Sequence, residues 1–188
     1  MQWHNEPARW SAQDTTLAVT ADPRTDFWRK THYGFIRDNG HLFYQEVEGD
    51  FVCEVVVCGA YATLYDQAGL MVRADETTWL KCGIEYVEGV QYASAVVTRD
   101  FSDWSVAPLD GTPEALRLRI TRQGGSIEIA YDPDGMGERL LRVAYLSESP
   151  RLLVGPMCAA PQGDGFEVRF EGFSLRPLDK EHSDAPSV

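Results

Sequence analysis

The chain has 188 residues, of which 44% are hydrophobic and 24% are charged, and this length suits a single domain. Its formal net charge is -12 at pH 7. Because such a surface repels phosphate backbones and anionic lipid, we expect neither nucleic acid nor a membrane as a partner.

The ends of the chain and its cysteines indicate a cytoplasmic protein. The first ten residues, MQWHNEPARW, have neither the basic nor the apolar segment of a signal peptide. The four cysteines form no C-x-x-C pair, which favours reduced thiols over a disulfide framework. We expect no metal site and no cofactor. We also expect one β-sandwich domain over residues 1–178, followed by a flexible tail at 179–188.

Short runs of alternating apolar and polar residues recur between turn sequences, and no window has the apolar spacing of an amphipathic helix. The predicted strands are residues 16–20, 41–47, 51–59, 67–74, 79–87, 92–100, 115–123, 126–131, 140–145, 152–159 and 166–175. Many short strands joined by tight turns indicate a sandwich or a barrel. We predict an all-β jelly-roll sandwich of two antiparallel sheets.

The stretch DQAGLMVRADETTWLKCGIEY, residues 66–86, predicts a hairpin that closes around residues 75–77. Alternation directs Ala68, Leu70 and Val72 into the core. The cross-strand pairs on the opposite face are Gln67–Glu85, Gly69–Gly83, Met71–Lys81 and Arg73–Trp79. Because facing glycines weaken a sheet, they suggest that something approaches the backbone there.

A two-residue turn at 89–90 predicts how the next strand pairs with this hairpin. The expected pairs are Lys81–Thr98, Glu85–Ser94 and Trp79–Asp100. Polar residues of three strands then share one face, which we expect to be concave. Lys81 and Glu85 lie about 13 Å apart along their strand, which matches a few sugar rings better than one ion. The alternative is an ordinary solvated sheet face with cross-strand charge pairs.

Two further segments combine aromatic rings with charged side chains. TDFWRKTHYGFIRDNGH, residues 25–41, contributes Trp28, His32 and Tyr33, and TRDFSDWS, residues 98–105, contributes Asp100 and Trp104. Aromatic rings flanked by carboxylates are typical of sugar-binding sites, because the rings stack on apolar sugar faces while the carboxylates bind hydroxyls. The alternative for the two tryptophans is that they cover the edges of the core.

Glycoside hydrolysis needs two carboxyl groups, about 5–5.5 Å apart for retention or about 6.5–9.5 Å apart for inversion. Glu85 and Asp100 lie too far out of register, so Asp66, at the start of the neighbouring strand, is the better partner for Glu85. Lys81 is an alternative partner if its pKa is lowered. Arg142, in LLRVAYL, is a further ligand-binding candidate, and an outward surface arginine is the alternative interpretation.

Six blocks of the sequence together resemble the regulation of enolase protein family, a domain of unknown function. They are TDFWRKTHYGFIRDNGH, YDQAGLMVR, WLKCGIEY, VVTRDFSDWS, LRVAYL and VGPMCAAPQGDGFEVRFEGF. The resemblance runs from Trp3 to about Leu178. It implies a concanavalin A-like lectin/glucanase sandwich and no established reaction. The E-x-D-x-x-E signature of laminarinase-type glucanases with this fold is absent from the sequence, so hydrolase activity is not transferred.

These observations lead to three hypotheses. The first is a module that binds a small-molecule or oligosaccharide ligand through Trp28, His32, Tyr33, Gln67, Thr98, Asp100, Trp104 and Arg142. The second is a carbohydrate-active enzyme that uses Glu85 with Asp66 or Lys81. The third is a protein-interaction regulator of carbohydrate metabolism. Oligomeric state stays open.

Overall fold

A computed structural model describes residues 1–178 as an all-β sandwich of two seven-stranded antiparallel sheets and one small hairpin. In spatial order the first sheet consists of β1 (Gln2–His4), β6 (His41–Glu48), β15 (Arg151–Ala159), β8 (Gln67–Arg73), β9 (Thr78–Val87), β10 (Val90–Arg99) and β11 (Phe101–Pro108). The second consists of β14 (Arg139–Tyr145), β13 (Ser126–Pro133), β12 (Leu116–Gln123), β7 (Phe51–Gly59), β16 (Phe166–Pro177), β3 (Thr16–Ala21) and β2 (Arg9–Gln13). The small hairpin pairs β4 (Phe27–Arg29) with β5 (Ile36–Asp38). Within residues 1–178 no helix is long and apolar enough to cross a membrane.

The core lies between the two sheets. Leu70 and Val72 of β8 are completely buried in one cluster with Val57 of β7 and with Leu118 and Ile120 of β12. Each side chain of this size contributes about 1.5–3 kcal/mol when it is fully buried, so the facing layers hold the sheets together. The predicted fold class is confirmed, while the predicted tail at 179–188 lies outside the described residues.

All the predicted strands are present, with ends shifted by at most two residues. Sequence analysis missed β1, β2, β4, β5 and β11. Three of these have only three residues, and β2 is exposed along its whole length, so neither burial nor alternation marks them. Strand β11 forms because a one-residue turn at Asp100 folds it back onto β10.

The predicted register of β8 and β9 is confirmed, but the explanation for their facing glycines changes. Gly69 pairs with Gly83. A Cβ atom added to Gly69 would lie 1.9 Å from the carbonyl oxygen of Cys82, and one added to Gly83 would lie 2.0 Å from that of Ala68. The two backbones are thus too close for any side chain. The approaching group is the neighbouring strand, which requires no ligand.

The predicted register of β9 and β10 is wrong by two residues. Trp79 pairs with Thr98, Lys81 with Val96 and Glu85 with Tyr92. The turn consists of Glu88 and Gly89, with φ of 49° and 87°, and not of residues 89–90. Positive φ at both central residues is the requirement of a two-residue type I′ turn. Because the shift is an even number of residues, every side chain keeps its predicted face.

The hairpin of β4 and β5 covers much of the outer face of the first sheet. Phe27 and Trp28 of β4 form a second buried cluster with Met71 of β8, Trp79 of β9 and Met157 of β15. Trp28 is only 8% exposed. The face predicted to be a concave polar floor is therefore partly apolar and covered by the hairpin, and the polar side chains that line a cleft lie beside it.

Candidate functional site

A cleft of about 180 Å³ opens between the outer face of β8, β9 and β10 and the loops around the β4–β5 hairpin. Its floor consists of Gln67, Lys81, Glu85 and Asp26. Its walls consist of Trp28, Tyr33, Phe35, Tyr65 and Trp104, and its rim includes Arg24 and Arg37. Lys81 and Glu85 are only 4% and 7% exposed, so a ligand that reaches them leaves bulk water.

Lys81 is held by three acceptors. Its Nζ donates to the carbonyl oxygen of Phe27 at 2.7 Å, to Oε1 of Gln67 at 2.5 Å and to Oδ1 of Asp26 at 3.3 Å. An ammonium group has three N–H donors, so these bonds satisfy it fully. Lys81 therefore ties the β4 segment to the sheet and keeps its own charge neutralised.

Asp26 is the second carboxylate of the floor. Its Oδ1 also accepts from the backbone N–H of Phe27 at 2.8 Å and from Nε2 of Gln67 at 3.4 Å. Oδ2 accepts no bond from another described residue and is the oxygen available to a ligand. Sequence analysis did not select Asp26, because its contact with Lys81 joins residues that are 55 apart and leaves no local pattern.

Glu85 is the more buried of the two carboxylates in the floor. Its Oε2 accepts from Ser94 Oγ at 2.6 Å and from the indole Nε1 of Trp104 at 2.8 Å. Removal from water raises the pKa of the Glu85 carboxyl above its usual value. The charge of Lys81 and these two hydrogen bonds oppose that shift without cancelling it. Glu85 therefore binds a proton more readily than an exposed glutamate.

The aromatic walls contact one another around the opening. Trp28 and Tyr33 meet edge to face with centroids 5.6 Å apart, and Tyr65 and Trp104 do so at 6.3 Å. A hydrogen bond of 3.1 Å joins the hydroxyls of Tyr33 and Tyr65. This bond, together with burial, raises the pKa of Tyr65 to about 12. Tyr65 is thus a neutral hydroxyl at neutral pH.

A second groove of about 550 Å³ adjoins the cleft and shares Trp28, Tyr33 and Trp104 with it. His32 and Phe101 line this groove and not the cleft. A ligand longer than the cleft has a continuous aromatic path into this groove.

Two of the predicted site residues help to hold loops and strands in place instead of lining the cleft. Oδ2 of Asp66 accepts from the backbone N–H groups of Ala62 and Thr63 at 3.0 and 2.8 Å, and the residue is 1% exposed. Thr98 is completely buried and bonds Ser102 at 2.8 Å.

Two more predicted residues outside the cleft, Asp100 and Arg142, form ion pairs. Asp100, at the turn between β10 and β11, pairs with Arg29 at 3.0 Å and with Lys30 at 2.7 Å. Arg142 of β14 donates to Ser105 Oγ and pairs with Asp103 at 3.1 Å. The structure brings together Trp28, Tyr33, Gln67, Lys81, Glu85 and Trp104 of the predicted set.

Several residues that line the cleft were missed by sequence analysis, namely Arg24, Asp26, Phe35, Arg37, Tyr65 and Gln162. They lie in loops or in the short strand β5, where alternation gives no information. Tyr65 precedes a predicted strand by two residues, and a search for aromatic residues at strand ends would have found it.

A larger depression of about 670 Å³ lies on the other sheet, and exposed residues including Arg9, Trp10, Glu114 and Arg169 form much of its lining. A ligand there would remain in contact with water, so the smaller cleft is the better candidate. Residues 1–178 contain no cluster of three His, Cys, Asp or Glu side chains placed to hold a metal ion.

The fold and the cleft define the class, an all-β sandwich with a small polar cleft on the outer face of one sheet. The chain belongs to the DUF1349 family, described as a protein of unknown function, whose model matches residues 3–178. It is 41% identical over 179 residues to Regulation of enolase protein 1 of Saccharomyces cerevisiae, an alignment of 95% of this chain and 90% of that one. The family resemblance found in the sequence is thereby confirmed.

Solved structures show the same fold. A protein of unknown function from Saccharomyces cerevisiae superposes with a TM-score of 0.90 at 40% identity, over 95% of this chain and 97% of that one. A Bacteroides ovatus protein described as xyloglucan PUL GH43B superposes with a TM-score of 0.69 at 18% identity. That match covers 90% of this chain but 34% of the larger protein, and it shows a shared fold alone.

Proposed function

We propose that this protein binds a carbohydrate or a related metabolite in the cleft. The observation that carries the proposal is the combination of a buried polar floor with aromatic walls. Glu85 and Asp26 each have a carboxylate oxygen that accepts no bond from another described residue, and such oxygens accept hydrogen bonds from sugar hydroxyls. Trp28, Tyr33 and Trp104 supply ring surfaces for the apolar faces of a sugar.

The size of the cleft favours a single sugar ring. Sites for drug-sized ligands occupy about 300–1,000 Å³, whereas this cleft occupies about 180 Å³. Further rings of a longer ligand would enter the adjoining groove along the shared aromatic residues Trp28, Tyr33 and Trp104. Asp26 and Glu85 then contact one ring in common, and Lys81 and Glu85 do not mark the two ends of an extended ligand.

A catalytic role is the second candidate, and the raised pKa of Glu85 favours it. A carboxyl group that holds its proton nearer to neutral pH suits general acid catalysis, and Asp26 supplies a second carboxylate in the same cleft. Lys81 is fully hydrogen-bonded and Asp66 lies outside the cleft, so neither is the better partner for Glu85. Aryl glycosides that release a coloured product test this role, with Glu85→Gln as the inactive control.

The binding proposal is tested by thermal unfolding with a panel of monosaccharides, oligosaccharides and sugar acids. A ligand at 100 times its Kd adds about 2.7 kcal/mol to the free energy of unfolding, which raises the Tm measurably. We expect Tyr33→Ala to abolish this ligand-induced shift and Tyr145→Ala, an exposed tyrosine on β14, to keep it. No shift across the panel would overturn the proposal and favour the protein-interaction regulator.

A further inference from the structure

Two arginines at the rim of the cleft have no carboxylate partner within residues 1–178. Arg24 and Arg37 both line the cleft, and neither forms an ion pair with any residue between Met1 and Leu178. The protein as a whole carries a net charge of -12, so acidic side chains are abundant elsewhere on its surface. Two unpaired guanidinium groups at one opening therefore form a local positive site on a negative protein.

The floor beneath them carries little opposing charge. Oδ1 of Asp26 lies 3.3 Å from Nζ of Lys81, and the two charges neutralise each other. Glu85 then contributes the one remaining negative charge among the side chains that line the cleft, against the two guanidinium groups. The cleft therefore has an excess of positive charge, which comes from its rim.

The backbone holds both arginines in place. Arg24 adopts φ of +62°, a conformation that costs free energy for a residue with a side chain. Its N–H donates to the carbonyl oxygen of Ala160 at 2.8 Å, and its carbonyl oxygen accepts from Nδ2 of Asn39 at 3.1 Å. The guanidinium of Arg37 lies 5.3 Å from the ring centre of Phe35, and Arg37 pairs with Trp28 across the hairpin.

Two residues of the cleft have strained backbone. Glycine, asparagine, aspartate and histidine tolerate positive φ better than other residues do. Apart from these types, positive φ is found within residues 1–178 at Arg24, Lys30, Tyr65 and Glu88. Two of the four, Arg24 and Tyr65, line the cleft. Strain at these two positions agrees with a backbone geometry that orients a functional side chain.

We propose that the cleft selects a sugar that carries an anionic group, a carboxylate or a phosphate, which Arg24 and Arg37 bind at the rim while the ring lies against the floor. This inference rests on the proposed function and narrows its ligand class. Guanidinium groups suit this task because their planar N–H donors match the oxygens of a carboxylate or a phosphate in pairs.

The test compares three ligands with the same ring, namely glucose, glucuronate and glucose 6-phosphate, by calorimetry at low and at high salt. We expect at least one anionic ligand to bind about tenfold more tightly than glucose at low salt, which is the size of effect that one charge-assisted hydrogen bond gives. The preference should shrink at high salt, because exposed charges are screened. The tighter of the two anionic ligands identifies the anionic group.

Arg24→Gly and Arg37→Gln should each remove this preference, and Arg24→Gly should keep or raise the Tm because glycine relieves the positive φ. Arg117→Gln removes the same charge from an exposed position on β12 and should leave the preference intact. If Arg24 only stabilised the fold, Arg24→Gly would lower the Tm. A loss of the anionic preference without a lower Tm therefore assigns Arg24 to ligand recognition.

The outcomes distinguish the two proposals. If glucose binds as tightly as both anionic ligands, the inference is overturned and the proposed function stands. If inorganic phosphate binds as tightly as glucose 6-phosphate, the site recognises the anion alone and the inference of a sugar ligand is overturned. If no member of the thermal-unfolding panel of sugars and sugar acids binds, both the inference and the proposed function are overturned.

Discussion

Trp104 and Glu85 are joined by a hydrogen bond of 2.8 Å from the indole Nε1 to Oε2 of the carboxylate. The bond connects β11 at the edge of the first sheet to β9, two strands away. Trp104 is 36% exposed, whereas Glu85 is 7% exposed. One residue therefore forms a wall of the cleft and also orients the more buried carboxylate of its floor.

Trp104→Phe should weaken sugar binding and raise the pKa of Glu85 further, because phenylalanine keeps a ring but lacks the donor that stabilises the carboxylate. The affinity loss should be about tenfold, the typical effect of one hydrogen bond to a charged group. Calorimetry across pH measures both effects. Trp10→Phe is the matched control, because Trp10 is similarly exposed and donates to Glu6 at 2.8 Å far from the cleft. Equal effects of the two substitutions would contradict the role of the Trp104 indole in orienting Glu85.

Glu85→Gln should stabilise the protein at neutral pH. Since the pKa of Glu85 is raised on folding, the folded state binds more protons between the unfolded and folded pKa values, and stability decreases as pH rises through that window. Below the unfolded pKa the carboxyl is protonated in both states and contributes nothing. The variant, which has no titrating group there, should therefore gain stability relative to wild type as pH rises.

Urea unfolding at pH 4, 6 and 8 measures this difference in the free energy of unfolding. Glu76→Gln, at an exposed glutamate in the turn between β8 and β9, is the control and should give the same difference at every pH. A gain for Glu85→Gln that does not change with pH would show that burial of the charge is not its origin.

The sequence allowed the sandwich to be predicted because alternation is local, and the β8–β9 register followed from matching apolar faces. The β9–β10 turn was misassigned because nothing in the sequence marks Glu88 as a residue with positive φ. The alternation of side chains along a strand could have excluded Asp66 from the cleft. Gln67 faces Glu85 across the hairpin, and its neighbour in an extended chain points to the opposite side.

The remaining cleft residues depend on contacts between distant parts of the chain. Asp26 reaches Lys81 only because the β4–β5 hairpin folds over the sheet, and Arg73 fixes that hairpin by a two-pronged ion pair with Asp38 at 2.7 and 2.8 Å. No periodic pattern of apolar and polar residues in the sequence indicates such a contact. The same hairpin converts the sheet face into a small cleft. An extended ligand was expected because the sequence gives the spacing of about 13 Å between Lys81 and Glu85 but not the segment that covers the sheet.

Gly69→Ala should destabilise the protein by about 2–4 kcal/mol, because its Cβ would lie 2.6 Å from the Cα of Gly83 and even closer to a carbonyl oxygen. Backbone atoms cannot move aside without opening the sheet. Gly89→Ala has open space around the added Cβ and only the strain of its positive φ, so a loss of about 1 kcal/mol is expected. Chemical denaturation compares the two, and similar losses would refute the close approach of β8 and β9.

Lys81→Met should cost about 2–4 kcal/mol of stability, because methionine leaves the carbonyl of Phe27, Gln67 and the carboxylate of Asp26 without their buried donor. The amides of β4 should also exchange hydrogen faster, since Lys81 ties this strand to the sheet.

Lys30→Met is the matched control. Lys30 pairs with Asp100 at the surface, where an ion pair contributes about 0–1 kcal/mol. Denaturation and hydrogen exchange measure both variants. If Lys81→Met retained wild-type stability and exchange but lost turnover of a sugar substrate, Lys81 would be a catalytic group and its structural role would be wrong.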